Sequence, residues 1–282
     1  HDAALYSYNR NTFKLDLGLA YNQSSETLFG NDLFTPDTYK SLQYVWMHKD
    51  WSNFSGSLLF ANLGWQHLDA ANADNNETRF NQTIGTHLKY GQNAFALRGN
   101  AYYQFGKDVF DNDLNAYLLG LELDYKFTDR LKLGIGTEVI SGNEHNTIHE
   151  GENNAFTPFF GTNHKFNGWM DYFYVGNHAN SVGLVNLQIN GNFKIQDKSM
   201  IQMAAHHFMT AADFEEKILG TELDLSFNHQ IQEDVNLHVG YSHMFPSEGL
   251  ELLKGNDDGN TNNWAWVMVT INPTLFTSNN NQ

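Results

Sequence analysis

The chain has 282 residues, with 32 acidic against 16 basic side chains and no cysteine. This balance argues against nucleic-acid binding, and the lack of cysteine argues against a disulfide scaffold, cysteine-ligated zinc or thiol redox chemistry. No stretch approaches 18 consecutive apolar residues, which excludes a transmembrane helix, and an aromatic content of 14% excludes the composition of a disordered chain.

Thirteen strand-like segments follow one another along the chain, joined by connections that alternate between short and long. The short connections are predicted near residues 9–11, 50–53, 91–92, 128–129, 196–197 and 232–234. The long ones are predicted at 23–39, 69–80, 106–113, 142–181, 211–217 and 246–261. Short turns on one side of a sheet and long loops on the other are typical of up-and-down barrels that cross the bacterial outer membrane.

The segments themselves alternate apolar and polar residues, so that in the second one Leu15 and Leu17 oppose Lys14 and Asp16. Aromatic residues fall near several strand ends, as in the interfacial girdles of membrane barrels: Tyr21, Tyr103, Tyr125, Phe127, Phe227 and Tyr241. The sequence therefore predicts an all-β protein, a transmembrane antiparallel up-and-down β-barrel. A soluble β protein also alternates and remains the alternative.

Two segments resemble each other, GLELDYKF at 120–127 and GTELDLSF at 220–227. Each follows a predicted long loop and precedes a predicted short turn, so both strands should run in the same direction with Glu and Asp on one face. Alternation alone also explains the match, since no repeat of fixed period accompanies it.

The last predicted strand, residues 263–276, is rich in aromatic residues and closes with Phe276. Barrel proteins commonly end their final strand on an aromatic residue, although an ordinary edge strand is the alternative. We expect one barrel domain over residues 1–276 and a polar tail over 277–282.

Intact single-chain barrels have an even number of strands. The thirteen strands predicted here are an odd number, so we expect further strands upstream of His1, in the same chain or in a separate piece.

Three runs carry a resemblance to a known family: FGTNHKFNGWMDYF at 160–173, YQFGKD at 103–108 and NNWAW at 262–266. With them the whole chain resembles the alginate-export-type outer-membrane proteins in the version found in the Bacteroidetes. The resemblance implies a barrel of about eighteen strands, with about five of them before His1. It also implies passage of an anionic polysaccharide through an arginine-lined lumen. This chain departs from that pattern, because Arg98 is its main mid-strand arginine.

The predicted function is a passive channel that passes small solutes or a polysaccharide through a polar lumen. The alternative is a structural or accessory barrel subunit of a larger outer-membrane complex, without a transport role. The expected partners are the lipid bilayer and lipopolysaccharide of the outer membrane, the N-terminal remainder of the same barrel and other outer-membrane proteins. No nucleic acid and no cofactor are expected.

Alternation assigns a set of charged side chains to the lumen. They are Asp16, Arg98, Glu122, Asp124, Lys132, Glu138, Glu222 and Asp224, together with Lys14 and Lys126. This wall is mildly acidic, so cations and neutral solutes should pass more easily than anions. Alternatively, some of the acids pair with Arg98 or Lys132 across strands and are electrically silent.

The connection at 142–181 is long and contains many aromatic residues. We expect it to fold into the lumen as a constriction or to cap it, through Phe160, His164, Lys165, Trp169 and Asp171. An extracellular cap or a partner-binding surface is the alternative.

No catalytic or metal site is predicted. His206 and His207 are neighbours on one strand and point to opposite faces, so they cannot share an ion. The loop acids Asp108, Asp111 and Asp113 are interpreted as solvated charge rather than calcium ligands. No Gly-x-Ser-x-Gly nucleophile motif occurs.

Overall fold

A computed structural model describes residues 2–22, 39–67, 77–145, 151–160, 167–173, 181–255, 259–274 and 276. In these ranges the chain forms one large sheet and one short helix. The elements are β1 (Asp2–Arg10), β2 (Phe13–Tyr21), β3 (Ser41–Asp50), β4 (Phe54–His67), β5 (Glu77–Gln92), β6 (Phe95–Lys107), β7 (Asp113–Lys126), β8 (Leu131–Ile140), β9 (Glu152–Asn153), β10 (Leu184–Gln196), β11 (Ser199–Met209), β12 (Ile218–Gln232), β13 (Val235–Pro246), α1 (Glu248–Lys254) and β14 (Asn262–Ile271).

The sheet is antiparallel, and its strands follow the order of the sequence from β1 to β14, with only β9 off the path. β9 pairs in parallel with the start of β7 through Asp113 and Leu114. Thirteen strands therefore lie on the serial path within the described ranges, in agreement with the thirteen predicted segments. Each of the two outermost strands, β1 and β14, has one neighbour in this sheet.

Several predicted connections differ from the structure in detail. The one expected at 69–80 ends earlier, because β5 begins at Glu77, and the one expected at 142–181 contains β9. The turn expected at 91–92 lies two residues later, because β5 continues to Gln92 and Asn93 turns the chain at φ 55°. Gly91 suggested the turn, but asparagine also tolerates the left-handed conformation. The connection expected at 246–261 contains α1, which ends at Gly255 in the left-handed conformation. No helix of the described part is long and apolar enough to cross a membrane.

The two faces of the sheet differ in chemistry. We call the face that carries Arg98 and Glu122 the polar face, and the opposite one the apolar face. On the apolar face large side chains are exposed in the middle of strands, such as Ile189 at 62% and Leu121 at 53%. Aromatic residues are exposed toward the strand ends of that face: Phe95, Tyr103, Tyr117, Tyr125 and Phe245. Tyr241, expected near a strand end, lies in the middle of β13.

The main buried core lies on the polar face, at the end of the strands near the long connections. It joins strand residues such as Ile140 and Phe208 to Phe156 and Phe173. The last two belong to what we call the cover segment, residues 151–160 and 167–173. The apolar side chains at this end of the polar face are therefore buried against the cover segment. On the apolar face, large side chains such as Ile189 and Leu121 are exposed in the described part of the chain.

Candidate functional site: the polar face and its cover segment

Strand register brings most of the predicted lumen residues onto one face. Arg98, Glu122, Gly136, Gln188, His206 and Glu222 form one row of directly opposed residues across six strands. The next row toward the short turns contains Asp124 and Asp224. Opposed residues in a sheet point to the same side, so these acids share the polar face. Whether this face lines a lumen stays a prediction.

The remaining predicted residues join the same face at different distances. Glu138 lies opposite Asn186 and Lys132 opposite Asn192, on either side of the Arg98 row. Asp16 is on β2, four strands from Arg98, and its Oδ1 accepts a hydrogen bond from Ser7 Oγ at 2.5 Å. Asp16 is therefore separate from the other charges.

Four of these side chains form what we call the charge cluster, Arg98, Glu122, Asp124 and Lys132. The Arg98 guanidinium contacts Glu122 Oε2 at 2.5 Å and Asp124 Oδ2 at 2.8 Å. Lys132 Nζ contacts Asp124 Oδ2 at 3.0 Å. Two cations thus face two anions, and the cluster contributes little net field. The acidic surplus predicted for this face does not come from these residues.

The second acidic group is what we call the buried acid pair, Glu222 and Asp224. Their exposures are 0% and 4%. Glu222 Oε1 accepts hydrogen bonds from the backbone N–H groups of Trp169 at 2.5 Å and Met170 at 2.9 Å. Within the described part of the chain, Glu222 Oε2 and both Asp224 carboxylate oxygens are buried without a hydrogen-bond partner. His206 Nε2 lies 3.8 Å from Asp224 Oδ2. Burying these carboxyl groups costs stability that the two backbone donors offset in part.

The approach of the cover segment to Glu222 depends on Gly168. This glycine has φ +85°, and a Cβ added to it would lie 2.7 Å from the carboxylate oxygens of Glu222. Only glycine gives both this conformation and this clearance. Gly168 thereby allows the backbone N–H groups of Trp169 and Met170 to reach the carboxylate of Glu222.

Further hydrogen bonds attach the cover segment to other strands of the polar face. Thr157 N donates to Gln104 Oε1 at 3.0 Å, and Gln104 Nε2 donates back to Thr157 O at 2.7 Å. Asn167 Nδ2 donates to Glu138 Oε1 at 3.1 Å. The rings of Phe173 and Phe208 lie 4.7 Å apart between centroids. The segment is therefore attached to β6, β8, β11 and β12.

The predicted residues of the 142–181 connection have different positions. Trp169 contributes its backbone N–H to Glu222, and its side chain is 39% exposed. Phe160 is 68% exposed, and its ring lies 5.7 Å from that of Tyr39. Asp171 adopts a positive φ of 58° in the same segment. His164 and Lys165 lie outside the described residues.

A cavity of about 710 Å³ lies between the polar face and the cover segment. Its wall combines charged, amide and apolar side chains from β4 to β10, and its cover consists mainly of aromatic side chains. The residues lining it include Leu59, Lys89, Arg98, Asn100, Tyr102, Leu118, Glu122, Glu138, Ile140, Phe156, Phe159, Phe160, Phe173, Asn186 and Gln188.

Sequence reasoning missed several residues of this site. It treated His206 only as a possible metal ligand, whereas this side chain is buried beside Asn186 and Asp224. Alternation along β11 was the signal that could have assigned His206 to the polar face. In the described ranges no group of three or more His, Asp or Glu side chains is arranged to hold a metal ion.

The interpretation of the loop acids as solvated charge is wrong for Asp108. This carboxylate is 8% exposed and accepts hydrogen bonds from the backbone N–H of Phe110 at 2.8 Å and of Asn112 at 2.9 Å. Asn153 of β9 donates to it at 2.9 Å. Asp108 therefore fixes the loop and joins it to the start of the cover segment.

Comparisons with known proteins agree with this architecture. No family model matches the sequence, and no curated protein matches it. Among solved structures, the outer membrane protein OprD from Pseudomonas aeruginosa matches with a TM-score of 0.58 at 11% identity, over 94% of this chain and 66% of its own. Pseudomonas aeruginosa OpdQ matches with a TM-score of 0.54 at 12% identity, over 93% and 67%. Acinetobacter baumannii OccAB4 matches with a TM-score of 0.50 at 14% identity, over 94% and 66%.

The present chain thus spans about two thirds of the length of these structures. At such low identities the likeness concerns the fold. The predicted fold class is confirmed, because the chain forms a serial antiparallel sheet like those of outer-membrane β-barrels. The location in the bacterial outer membrane stays a prediction. The alginate-export family and the Bacteroidetes origin stay predictions.

Proposed function

We propose that this chain forms part of the wall of a passive outer-membrane channel, with the polar face toward the lumen and the apolar face toward lipid. The observation that carries the proposal is the contrast between the two faces. One exposes large apolar side chains in mid-strand, including Ile189 and Leu121, and the other carries the charged rows and a cavity of about 710 Å³. Such a sheet is stable where lipid covers one side and water the other.

The edges of the sheet support the proposal that the same barrel has further strands. β1 and β14 each have one neighbour in the described sheet. An unpaired edge in lipid leaves backbone groups without partners, at several kcal/mol each. Additional strands between β14 and β1 would close the barrel, with residues 1–276 belonging to the barrel domain. The tail expected at 277–282 lies outside the described residues. The lipid bilayer and lipopolysaccharide would then surround the apolar face.

Small solutes fit the polar face better than a polyanion does. The two basic residues of the charge cluster, Arg98 and Lys132, are already paired with carboxylates. A polymer such as alginate needs free cations along its path, which the rest of the barrel would have to supply. Membership of the alginate-export family is a proposal that rests on the sequence resemblance.

A second candidate function is an accessory barrel in a larger outer-membrane assembly. The attachment of the cover segment to several strands favours this accessory role, because a segment fixed across the polar face narrows any passage along that face. Other outer-membrane proteins would be the partners in that case.

Conductance distinguishes the two candidates. The complete protein, folded in detergent and added to a planar bilayer, should give discrete current steps in potassium chloride. A protein that migrates as a folded barrel on an unheated gel but gives no current would contradict the channel and favour the accessory role.

A further inference from the structure

The cavity under the cover segment changes chemistry along the strands. Its apolar part includes the row Leu59, Tyr102, Leu118 and Ile140, which adjoin one another across the sheet through Gly85. Four residues farther toward the short turns, the row Lys89, Arg98 and Glu122 lines the same cavity. At about 3.4 Å per residue the two rows are about 14 Å apart, so an elongated molecule with a ring at each end can contact both.

The cover over the apolar row is aromatic and held in place. Phe159 lies 5.5 Å from Trp65 and 6.4 Å from Phe160 between ring centroids. The neighbouring Thr157 is fixed by its paired hydrogen bonds to Gln104. On the wall below, the ring of Tyr102 lies over Gly85, which leaves no space for a Cβ there. Aromatic side chains of both the wall and the cover therefore line the apolar part of the cavity.

The opposite part of the cavity is polar but balanced in charge. Lys89 and Arg98 are matched by Glu122 and Glu138, so the four formal charges sum to zero. Arg98 is already engaged by Glu122, and Glu138 accepts from Asn167. An ion entering the cavity would lose hydration without gaining a net opposite field. The amides of Asn100 and Gln188 line the same part and offer hydrogen bonds to hydroxyl groups. Asn186 also lines it, but its amide is bonded to Asn167 and His206.

We propose that this cavity is a binding site for an uncharged solute with a flat apolar ring at one end and a hydroxyl-bearing ring at the other. The inference rests on the proposed channel function and adds the class of solute that pauses there. The ring lies between Tyr102 and the aromatic cover, and the hydroxyl groups meet the amide and charged rows. The volume is within the usual range for ligand pockets, about 300–1,000 Å³.

The probe is 4-nitrophenyl β-D-glucopyranoside, which has both ends and no charge. Binding to the complete protein in micelles is measured by equilibrium dialysis against micelles alone, and block of single-channel current is recorded in parallel. We expect saturable binding of this probe that exceeds binding of glucose, which lacks the ring, and of 4-nitrobenzoate, which carries a charge. Equal or tighter binding of 4-nitrobenzoate, or uptake no greater than that of empty micelles, would overturn the proposal.

A matched pair of variants locates the site. Phe160→Ala removes an aromatic ring that lines the cavity, and Phe110→Ala removes one of equal exposure, 69% against 68%, in another loop. Phe160→Ala should weaken probe binding by about fivefold and Phe110→Ala should leave it unchanged. Leu59→Asn, on the opposite wall, provides a second lining variant. Binding that is unaffected by both Phe160→Ala and Leu59→Asn contradicts the proposal.

Equilibrium dialysis tests the binding site, and single-channel current tests the channel function, so the two proposals can fail separately. Current steps without block, together with no saturable binding, would reject the binding site and leave the channel standing. Saturable binding without any current would support the site and reject the channel.

Discussion

The triplets Glu122-Leu123-Asp124 and Glu222-Leu223-Asp224 have the same sequence, lie in strands that run in the same direction and present their acids to the same face. Their surroundings differ. The first pair of acids meets Arg98 and Lys132 and is partly accessible at Glu122. The second pair is buried beneath the cover segment. The local sequence determines to which face of the sheet each acid points. Residues distant in the chain determine whether that acid is paired with a cation or buried.

The physical roles follow from these partners. In the charge cluster, side-chain cations neutralise the acids, which therefore affect the passage of ions mainly when a partner is removed. In the buried acid pair, Glu222 accepts backbone N–H groups and acts as an attachment point for the cover segment.

The largest effect is expected from removing the cover segment itself. Deleting residues 153–177 should raise single-channel conductance on the order of twofold, because it widens the path over the polar face. Replacing the same residues by a Gly-Ser linker of equal length is the control, since it keeps the length and removes the attachments. Unchanged conductance in both variants would show that the segment does not narrow the passage.

Substitution of Glu222 tests the attachment at a single point. Glu222→Ala leaves the N–H groups of Trp169 and Met170 without an acceptor and should lower the free energy of unfolding by about 2–4 kcal/mol. Glu222→Gln keeps an acceptor oxygen and should cost less than about 1 kcal/mol. Urea unfolding in micelles measures both. Equal losses in the two variants would mean that the charge of Glu222, rather than its acceptor oxygen, holds the segment.

Substitution of Arg98 tests the charge cluster. Arg98→Met leaves Glu122 and Asp124 with Lys132 alone, and should shift the reversal potential in a salt gradient toward cation selectivity. The loss of stability should be about 1–2 kcal/mol, less than for a fully buried pair, because the Arg98 side chain is 34% exposed. Arg130→Met, in a short turn, is the matched control. A reversal potential that stays unchanged would mean that Arg98 does not face the ion path.

The smallest effect is expected for an acid that lies outside both the charge cluster and the buried acid pair. Asp213, in the connection after β11, pairs with Lys217 at 2.6 Å, and its side chain is 76% exposed. The hydrogen bond and charge of Lys217 lower the pKa of Asp213, so any stabilisation by the pair is present at neutral pH and is lost only as the pH falls below 3.8. Asp213→Asn should leave the unfolding transition at pH 7 unchanged. A clear destabilisation would show that exposed pairs also matter in this protein.

Much of the fold follows from local signals in the sequence. The period of two in Leu121, Glu122, Leu123 and Asp124 predicts which side chains share a face, and the strand register agrees. The alternation of short and long connections predicts the serial strand order. These signals are local because each strand pairs with its neighbour in the chain.

The site could be predicted only in part. The bonds from 169–170 to Glu222 join residues more than fifty positions apart, and no local pattern encodes them. Helix α1 was missed because it has seven residues between loop segments, too short for a periodic signal. The burial of Asp108 was missed because its four donors come from the folded loop and from β9.

The central claim is that the polar face lines the passage and the apolar face meets lipid. The chain contains no cysteine, so single cysteines report on one position each. Gln188 and Ile189 are neighbours on β10 and point to opposite faces, Gln188 into the cavity and Ile189 outward at 62% exposure. In liposomes, a charged, membrane-impermeant methanethiosulfonate should modify Gln188→Cys and reduce its single-channel current, and should leave Ile189→Cys unmodified. Modification of Ile189→Cys with protection of Gln188→Cys would contradict the account.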